Sequence, residues 1–172
     1  MFNTRFWVLT AMIAAAVASR LLPHPPNFSP IAAMALMGGA HFSDKRLALL
    51  VPLVALLISD LFIGMHALMP LVYGSFIAMV AIGFLLKGRV SALNVTAAAL
   101  AGSVLFFLVT NFGVWALYST YPNTWAGLMV NYTAAIPFFQ NAVMGNLFYS
   151  GVLFGGYALL QSRFPVLQPS LD

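Results

Sequence analysis

The chain has 172 residues, of which 62% are hydrophobic and only 6% are charged, and its formal net charge is +4. A soluble globular protein carries about 25% charged residues, so this composition predicts an integral membrane protein and excludes a water-soluble one. The bases are spread singly along the chain, which excludes a nucleic-acid-binding surface, and the absence of cysteine excludes disulfides and thiolate metal sites.

Six apolar segments follow one another along the chain, and a membrane-spanning helix needs about 20 such residues. They predict an all-α integral membrane protein in which six transmembrane helices form one bundle, as a single transmembrane domain over residues 1–172. The second segment is short and carries two adjacent glycines. The predicted helices cover residues 5–22, 30–43, 46–65, 69–86, 91–118 and 135–162.

The distribution of basic residues predicts the orientation of this bundle, because cytoplasmic loops are enriched in Lys and Arg. With the N-terminus inside the cell, every base except Arg20 falls on the cytoplasmic side. The sequence therefore predicts a multi-pass protein of the bacterial inner membrane with both termini in the cytoplasm. The outer loops are then residues 22–31, 64–70 and 118–137.

The first outer loop reads LPHPPNFSPI, and its four prolines exclude a continuous helix. Prolines fix the backbone before a ligand arrives, so less entropy is lost on binding. We therefore expect a rigid loop that shapes the mouth of a cavity and presents His24 and Asn27 to a ligand. A plain tight connection between two helices is the alternative.

Asp60 is the one acid within the predicted helical core, where a carboxylate needs a partner or a wet cavity. The sequence leaves three alternatives open. Asp60 either pairs with Arg20, or accepts hydrogen bonds from neutral donors such as Tyr73 or Asn111, or is protonated. The predicted topology also brings further polar and aromatic groups to the same depth. We expect a ligand cavity walled by His24, Asn27, Asp60, His66, Tyr73, Asn111, Trp115 and Asn141.

The third outer loop, residues 118–137, is rich in Tyr and Trp. Such a cluster predicts a lid over a flat, partly apolar ligand, and an interfacial aromatic belt is the alternative. No phosphate-binding loop, no nucleophile elbow and no second core acid occurs in the sequence. We therefore expect no enzyme activity and no catalytic residues.

Small residues recur at four-residue spacing in the first helix and allow another helix to approach closely. The partner helix lies within the chain or in a separate subunit. These residues are Ala11, Ala14, Ala15 and Ala18.

Three stretches carry a family resemblance: PNFSPIAAMALMGGAHF (26–42), LVPLVALLISDLFIGMHALMPLVYGSF (50–76) and FLVTNFGVWALYSTYPNTWAGLMVNYTAAIPFFQNAVMGNLFY (107–149). They resemble a family of small uncharacterised bacterial inner-membrane proteins. That family is similar to the S components of energy-coupling-factor vitamin transporters, which have six helices. Within that group it most resembles the vitamin B12 transporters of the BtuM type.

The resemblance implies a substrate-binding transport protein that takes up a small nutrient from the outer side, with a corrinoid as one candidate substrate. BtuM-type proteins bind the corrinoid cobalt through a cysteine; here the nearest counterpart is Ser75, a poor cobalt ligand, so His24 or His66 would be the axial ligand. We expect no other cofactor and no metal bound by the protein alone.

The resemblance also implies a partner, an energy-coupling transmembrane subunit with its ATPases, which would dock on the alanines of the first helix. Two alternative functions remain open. One is a transporter for another vitamin or metabolite, and the other is a structural or assembly subunit of a membrane complex.

Overall fold

The computed structural model describes residues 3–168, which form helices and no strand in that range. The all-α prediction is thus confirmed, and each of the six predicted segments contains a helix. The last helix includes one wide turn at Gly151–Gly155. The helices are α1 (Thr4–Ala18), α2 (Ile31–His41), α3 (Lys45–Ile63), α4 (Met69–Leu85), α5 (Ala92–Leu117) and α6 (Trp125–Arg163).

Four helices are long and apolar enough to cross a membrane, which is consistent with a membrane protein. They are α1 with its 3₁₀ extension (Thr4–Leu21), α3, α5 and α6, whereas α2 and α4 are shorter apolar helices. Membrane crossing by all six therefore stays a prediction.

Helix α6 begins at Trp125, so the predicted start at residue 135 is wrong. The cause is local: the Thr124 side chain accepts a hydrogen bond from Gly127 N at 3.1 Å and caps the helix. The segment between α5 and α6 is accordingly short, and the predicted lid over residues 118–137 is wrong in its extent. Two rings assigned to that lid, Trp125 and Tyr132, lie on α6 instead.

Helix α2 lies at the centre of the bundle, where all of its residues are buried and where it packs against α1, α3, α4, α5 and α6. Its 11 residues give it a length of about 16 Å, roughly half of a 30 Å hydrocarbon core. Two cations meet its C-terminal end: Arg5 Nη2 donates to His41 O at 2.9 Å, and Lys87 Nζ donates to Ser43 O at 3.3 Å. Cations at this end complement the helix dipole.

The proline-rich loop packs closely against the middle of α6. Phe28 contacts Phe148 with ring centroids 5.8 Å apart, and Asn141 Nδ2 donates to Pro26 O at 3.1 Å. Gly145 leaves room for this approach, because a Cβ there would lie 2.9 Å from Ser29 N. The loop therefore lies against the bundle, and α2 starts beside the middle of α6.

The chain alternates between two ends of the bundle. One, here called the cavity end, carries the connections 19–30, 64–68 and 118–124. The other, here called the basic end, carries the described N-terminus, the connections 42–44 and 86–91, and residues 164–168. Arg20 is the one base at the cavity end among the described residues. The bases at or near the basic end are Arg5, Lys45, Arg46, Lys87, Arg89 and Arg163.

Candidate functional site

A cavity of about 400 Å³ lies at the cavity end, between the two connections that precede α2 and α4 and the facing sides of α5 and α6. Polar and apolar groups share its wall. The polar residues that line it are Arg20, His24, Asn27, Ser29, Asp60, His66, Thr110, Asn111 and Asn146.

An ion pair between Arg20 and Asp60 forms part of this wall. Arg20 Nη1 lies 2.8 Å from Asp60 Oδ1, and the two side chains are only 12% and 4% exposed. Tyr73 Oη donates to the other carboxylate oxygen at 2.9 Å, and Arg20 Nη1 also donates to Ser59 Oγ. The pairing with Arg20 and the hydrogen bond from Tyr73, considered as alternatives from sequence, are thus both present.

Asn111 does not donate to Asp60. Its Nδ2 donates to Phe107 O at 2.8 Å within α5, and its backbone carbonyl oxygen accepts from Asn131 Nδ2 at 2.8 Å. Asp60 therefore has a donor on each oxygen without Asn111, and its carboxylate holds the Arg20 guanidinium in place at the cavity wall.

The mouth of the cavity carries both predicted histidines and Asn27. His24 and His66 are exposed and line the cavity, and the contact of His24 Nδ1 with Leu22 O at 2.6 Å leaves Nε2 free to meet a ligand. Asn27 has φ +64°, a left-handed conformation that asparagine adopts more readily than most residues. This conformation turns the proline-rich loop at Asn27, and the side chains of His24 and Asn27 lie at the cavity.

The deeper wall contains a buried amide. Asn146 is 6% exposed, and its Nδ2 donates to Ser103 Oγ at 2.7 Å. The Ser103 hydroxyl gives its own proton to Ala99 O at 2.9 Å, so it can only accept from Asn146. This fixes the amide orientation and leaves Asn146 Oδ1 as an acceptor for a ligand N–H or O–H.

Aromatic side chains of α5 and α6 form the apolar wall. The rings of Phe107 and Phe139 pack with centroids 4.8 Å apart. Tyr132, which is not part of the lining, packs against Phe107 with the two rings tilted by 56°. The rings that line the cavity are Phe106, Phe107, Phe138 and Phe139. A flat apolar group fits against such a surface.

Five of the residues predicted from sequence come together in this lining: His24, Asn27, Asp60, His66 and Asn111. The other four predicted ligand-binding residues lie outside it.

Of those four, Tyr73 supports Asp60 and Asn141 anchors the proline-rich loop through Pro26 O. Trp115 Nε1 donates to Pro122 O at 3.0 Å and holds the turn before α6. Ser75 Oγ is buried without a hydrogen-bond partner in the described part of the chain. Any ligand contact by these four residues stays a prediction.

Sequence reasoning left Arg20, Ser29, Asn146 and the four phenylalanines out of the site. The sequence does set Arg20 apart, since among the residues that the structure describes it is the one base at the end opposite all the others. The phenylalanines had none, because the chain contains 15 of them and only tertiary packing selects those that face the cavity.

The alanines of α1 that were predicted to dock a partner are all exposed. Ala14 and Ala18 also line an apolar groove of about 520 Å³ between α1 and α3. Docking of a partner there stays a prediction.

Among residues 3–168, no three or more His, Asp or Glu side chains are placed to hold a metal ion.

The model of a family of unknown function, DUF6580, matches residues 1–167, and the chain belongs to that family. No curated protein and no solved structure matches the chain.

Proposed function

We propose that this DUF6580 member is a substrate-binding transport protein of the bacterial inner membrane that takes up a small nutrient. The observation that carries the proposal is the cavity of about 400 Å³, where aromatic walls meet convergent polar groups. Small-molecule sites have volumes of about 300–1,000 Å³ and this mixture of apolar walls with a few polar groups.

The separation of charge between the two ends supports uptake from outside. If the basic end faces the cytoplasm, as the positive-inside rule favours, the cavity end faces the outer side. His24 and His66, exposed at the mouth, would then be the first groups that an arriving nutrient meets.

The cavity volume favours a vitamin or metabolite with one or two rings over a whole corrinoid, which is much larger. A corrinoid would require α5 and α6 to move apart, and His24 or His66 would then supply the axial ligand to its cobalt. The exposed alanines of α1 are the proposed docking site for an energy-coupling subunit with its ATPases.

The apolar groove between α1 and α3 favours a second candidate, a structural or assembly subunit of a membrane complex. In that case the groove would hold a partner helix and the cavity would carry no nutrient. The two candidates differ in what happens when the cavity is filled by mutation.

Filling the cavity is expected to abolish uptake. Ala142 lines the cavity on α6, so Ala142→Trp places an indole where the ligand would lie. Ala134 is exposed on the same helix, so Ala134→Trp adds the same group outside the cavity. The measurement is untargeted mass spectrometry of the medium around cells that produce each variant.

We expect one medium component to be depleted by cells with the wild type and with Ala134→Trp, but not by cells with Ala142→Trp. If no component were depleted, or if all three cultures depleted the same components equally, the transport proposal would be contradicted and the structural candidate favoured.

The proposed orientation is tested by labelling introduced cysteines, since the natural chain has none. Asn123 is exposed at the cavity end and Ser43 is exposed at the basic end. A membrane-impermeant maleimide added to intact inner-membrane spheroplasts is expected to label Asn123→Cys and not Ser43→Cys. Labelling of Ser43→Cys alone would reverse the orientation and place the cavity on the cytoplasmic side.

A further inference from the structure

Arg20 has hydrogen-bonding capacity that the protein does not use. Both of its polar contacts, to Asp60 and to Ser59, are made by Nη1. Nε and Nη2 donate to no other residue in the described chain. The side chain is 12% exposed and belongs to the lining of the cavity.

The Nε–Nη2 edge of a guanidinium carries two parallel N–H donors, and this spacing matches the two oxygens of a carboxylate or phosphate. Asp60 holds the guanidinium from its other side, so the fork is fixed before a ligand arrives. A fixed fork loses less side-chain entropy on binding than a free arginine.

The start of α2 adds positive potential to the same cavity. Ile31 and Ala32 line it. The N-cap residue Pro30 offers no side-chain hydrogen bond, and Ser29 Oγ accepts a long one from Ile31 N at 3.4 Å. The first N–H groups of a helix have no intrahelical acceptor, and they carry the positive end of its dipole. A negatively charged group is favoured at such a position.

The charges that face the cavity are few. Asp60 is the one acid in the described lining, and Arg20 is the one permanent base, with His24 and His66 at the mouth. The net charge of the Arg20–Asp60 ion pair is zero. An arriving anion is attracted by the helix dipole and by the unused edge of the guanidinium, and it is repelled by the Asp60 carboxylate.

We propose, resting on the proposed function, that the nutrient is an amphipathic oxyanion. Its carboxylate or phosphate accepts hydrogen bonds from Arg20 Nε and Nη2. Its flat apolar body lies against the phenylalanines of α5 and α6. The assignment therefore names the substrate class of this cavity.

The test uses three probes with one aromatic body: 2-naphthoate, 2-naphthyl phosphate and the neutral 2-naphthamide. Binding to the purified full chain in lipid nanodiscs is measured by equilibrium dialysis. We expect at least one of the two anions to bind about tenfold or more tightly than the amide, because hydrogen bonds to charged groups are the stronger ones. The tighter of the two identifies carboxylate or phosphate as the preferred group.

Two variants separate ligand binding by Arg20 from a purely structural role. In Asp60→Asn the amide oxygen still accepts from Arg20 Nη1 and Ser59 Oγ still contacts the same nitrogen, so the fork stays in place while the repulsive charge is removed. Affinity for the anions should therefore rise roughly tenfold, and affinity for the amide should change much less. Asp44→Asn is the matched control: it removes one acid at the basic end, and asparagine caps a helix as well as aspartate. It should leave all three affinities unchanged.

The inference is overturned if neither anion binds more tightly than the amide, or if Asp60→Asn leaves anion binding unchanged or weakens it. If the amide binds equally well and Ala142→Trp blocks it, the cavity still holds small molecules, so the proposed function survives and only the oxyanion assignment fails. The proposed function itself is tested separately, by the depletion of a medium component.

Discussion

Asp60→Leu is expected to destabilise the folded protein by about 3–5 kcal/mol, the usual cost of removing one partner of a buried ion pair. The leucine would leave the Arg20 guanidinium, 12% exposed, without a counter-charge. It would also leave Tyr73 Oη without the acceptor that it now has at 2.9 Å. The measurement is the free energy of unfolding in mixed micelles.

Two companion variants define this result. Asp44→Leu removes an acid whose side chain caps α3, so it should cost only the cap, about 0.5–2 kcal/mol. Arg20→Met combined with Asp60→Leu removes both charges and should recover much of the lost stability, because an apolar pair often replaces a buried ion pair without loss. Equal costs for Asp60→Leu and Asp44→Leu would show that the ion pair does not support the fold.

Gly83→Leu is expected to disrupt the packing of α2 on α4, with a cost at or above the roughly 1–3 kcal/mol of an overpacked core. A Cβ at Gly83 would lie 2.6 Å from Leu36 O and 3.0 Å from Gly39 Cα. Both neighbours are backbone atoms, so a rotamer change cannot relieve the clash, and the two helices must separate. Thermal denaturation monitored by size-exclusion chromatography measures the effect.

Gly74→Ala is the matched control on the same helix, since a Cβ there would meet no atom within 4 Å. It should raise stability by about 0.5–1 kcal/mol, because alanine restricts the unfolded chain and favours helix more than glycine does. If Gly83→Leu proved as stable as the wild type, the close contact between α2 and α4 would be refuted.

The positions of most helices could be predicted because hydrophobicity and charge carry that information locally. The predicted segments 46–65 and 69–86 nearly coincide with α3 and α4. The start of α6 could not be predicted in this way, because its first turns contain polar side chains that resemble a loop. In the folded chain α5 satisfies them: Asn131 Nδ2 donates to Asn111 O, and Tyr132 Oη donates to Leu108 O at 2.7 Å.

The candidate site was predictable to the extent that charge singles out residues. A lone acid such as Asp60 in an apolar chain demands a partner, and Arg20 is the base at the same end. The sequence could not reveal that both carboxylate oxygens receive donors, nor that Arg20 keeps one edge free. Those facts depend on side-chain geometry, as does the selection of Asn146 over Asn141 for the cavity wall.

The most direct test of the central claim is to identify small molecules that copurify with the protein. Wild type, Ala142→Trp and Ala134→Trp are purified in mild detergent, and their extracts are compared by mass spectrometry. We expect one compound in stoichiometric amount with the wild type and with Ala134→Trp, and its loss from Ala142→Trp. A cavity that yields no compound, or the same compounds from all three proteins, would contradict the proposal that this protein binds a nutrient there.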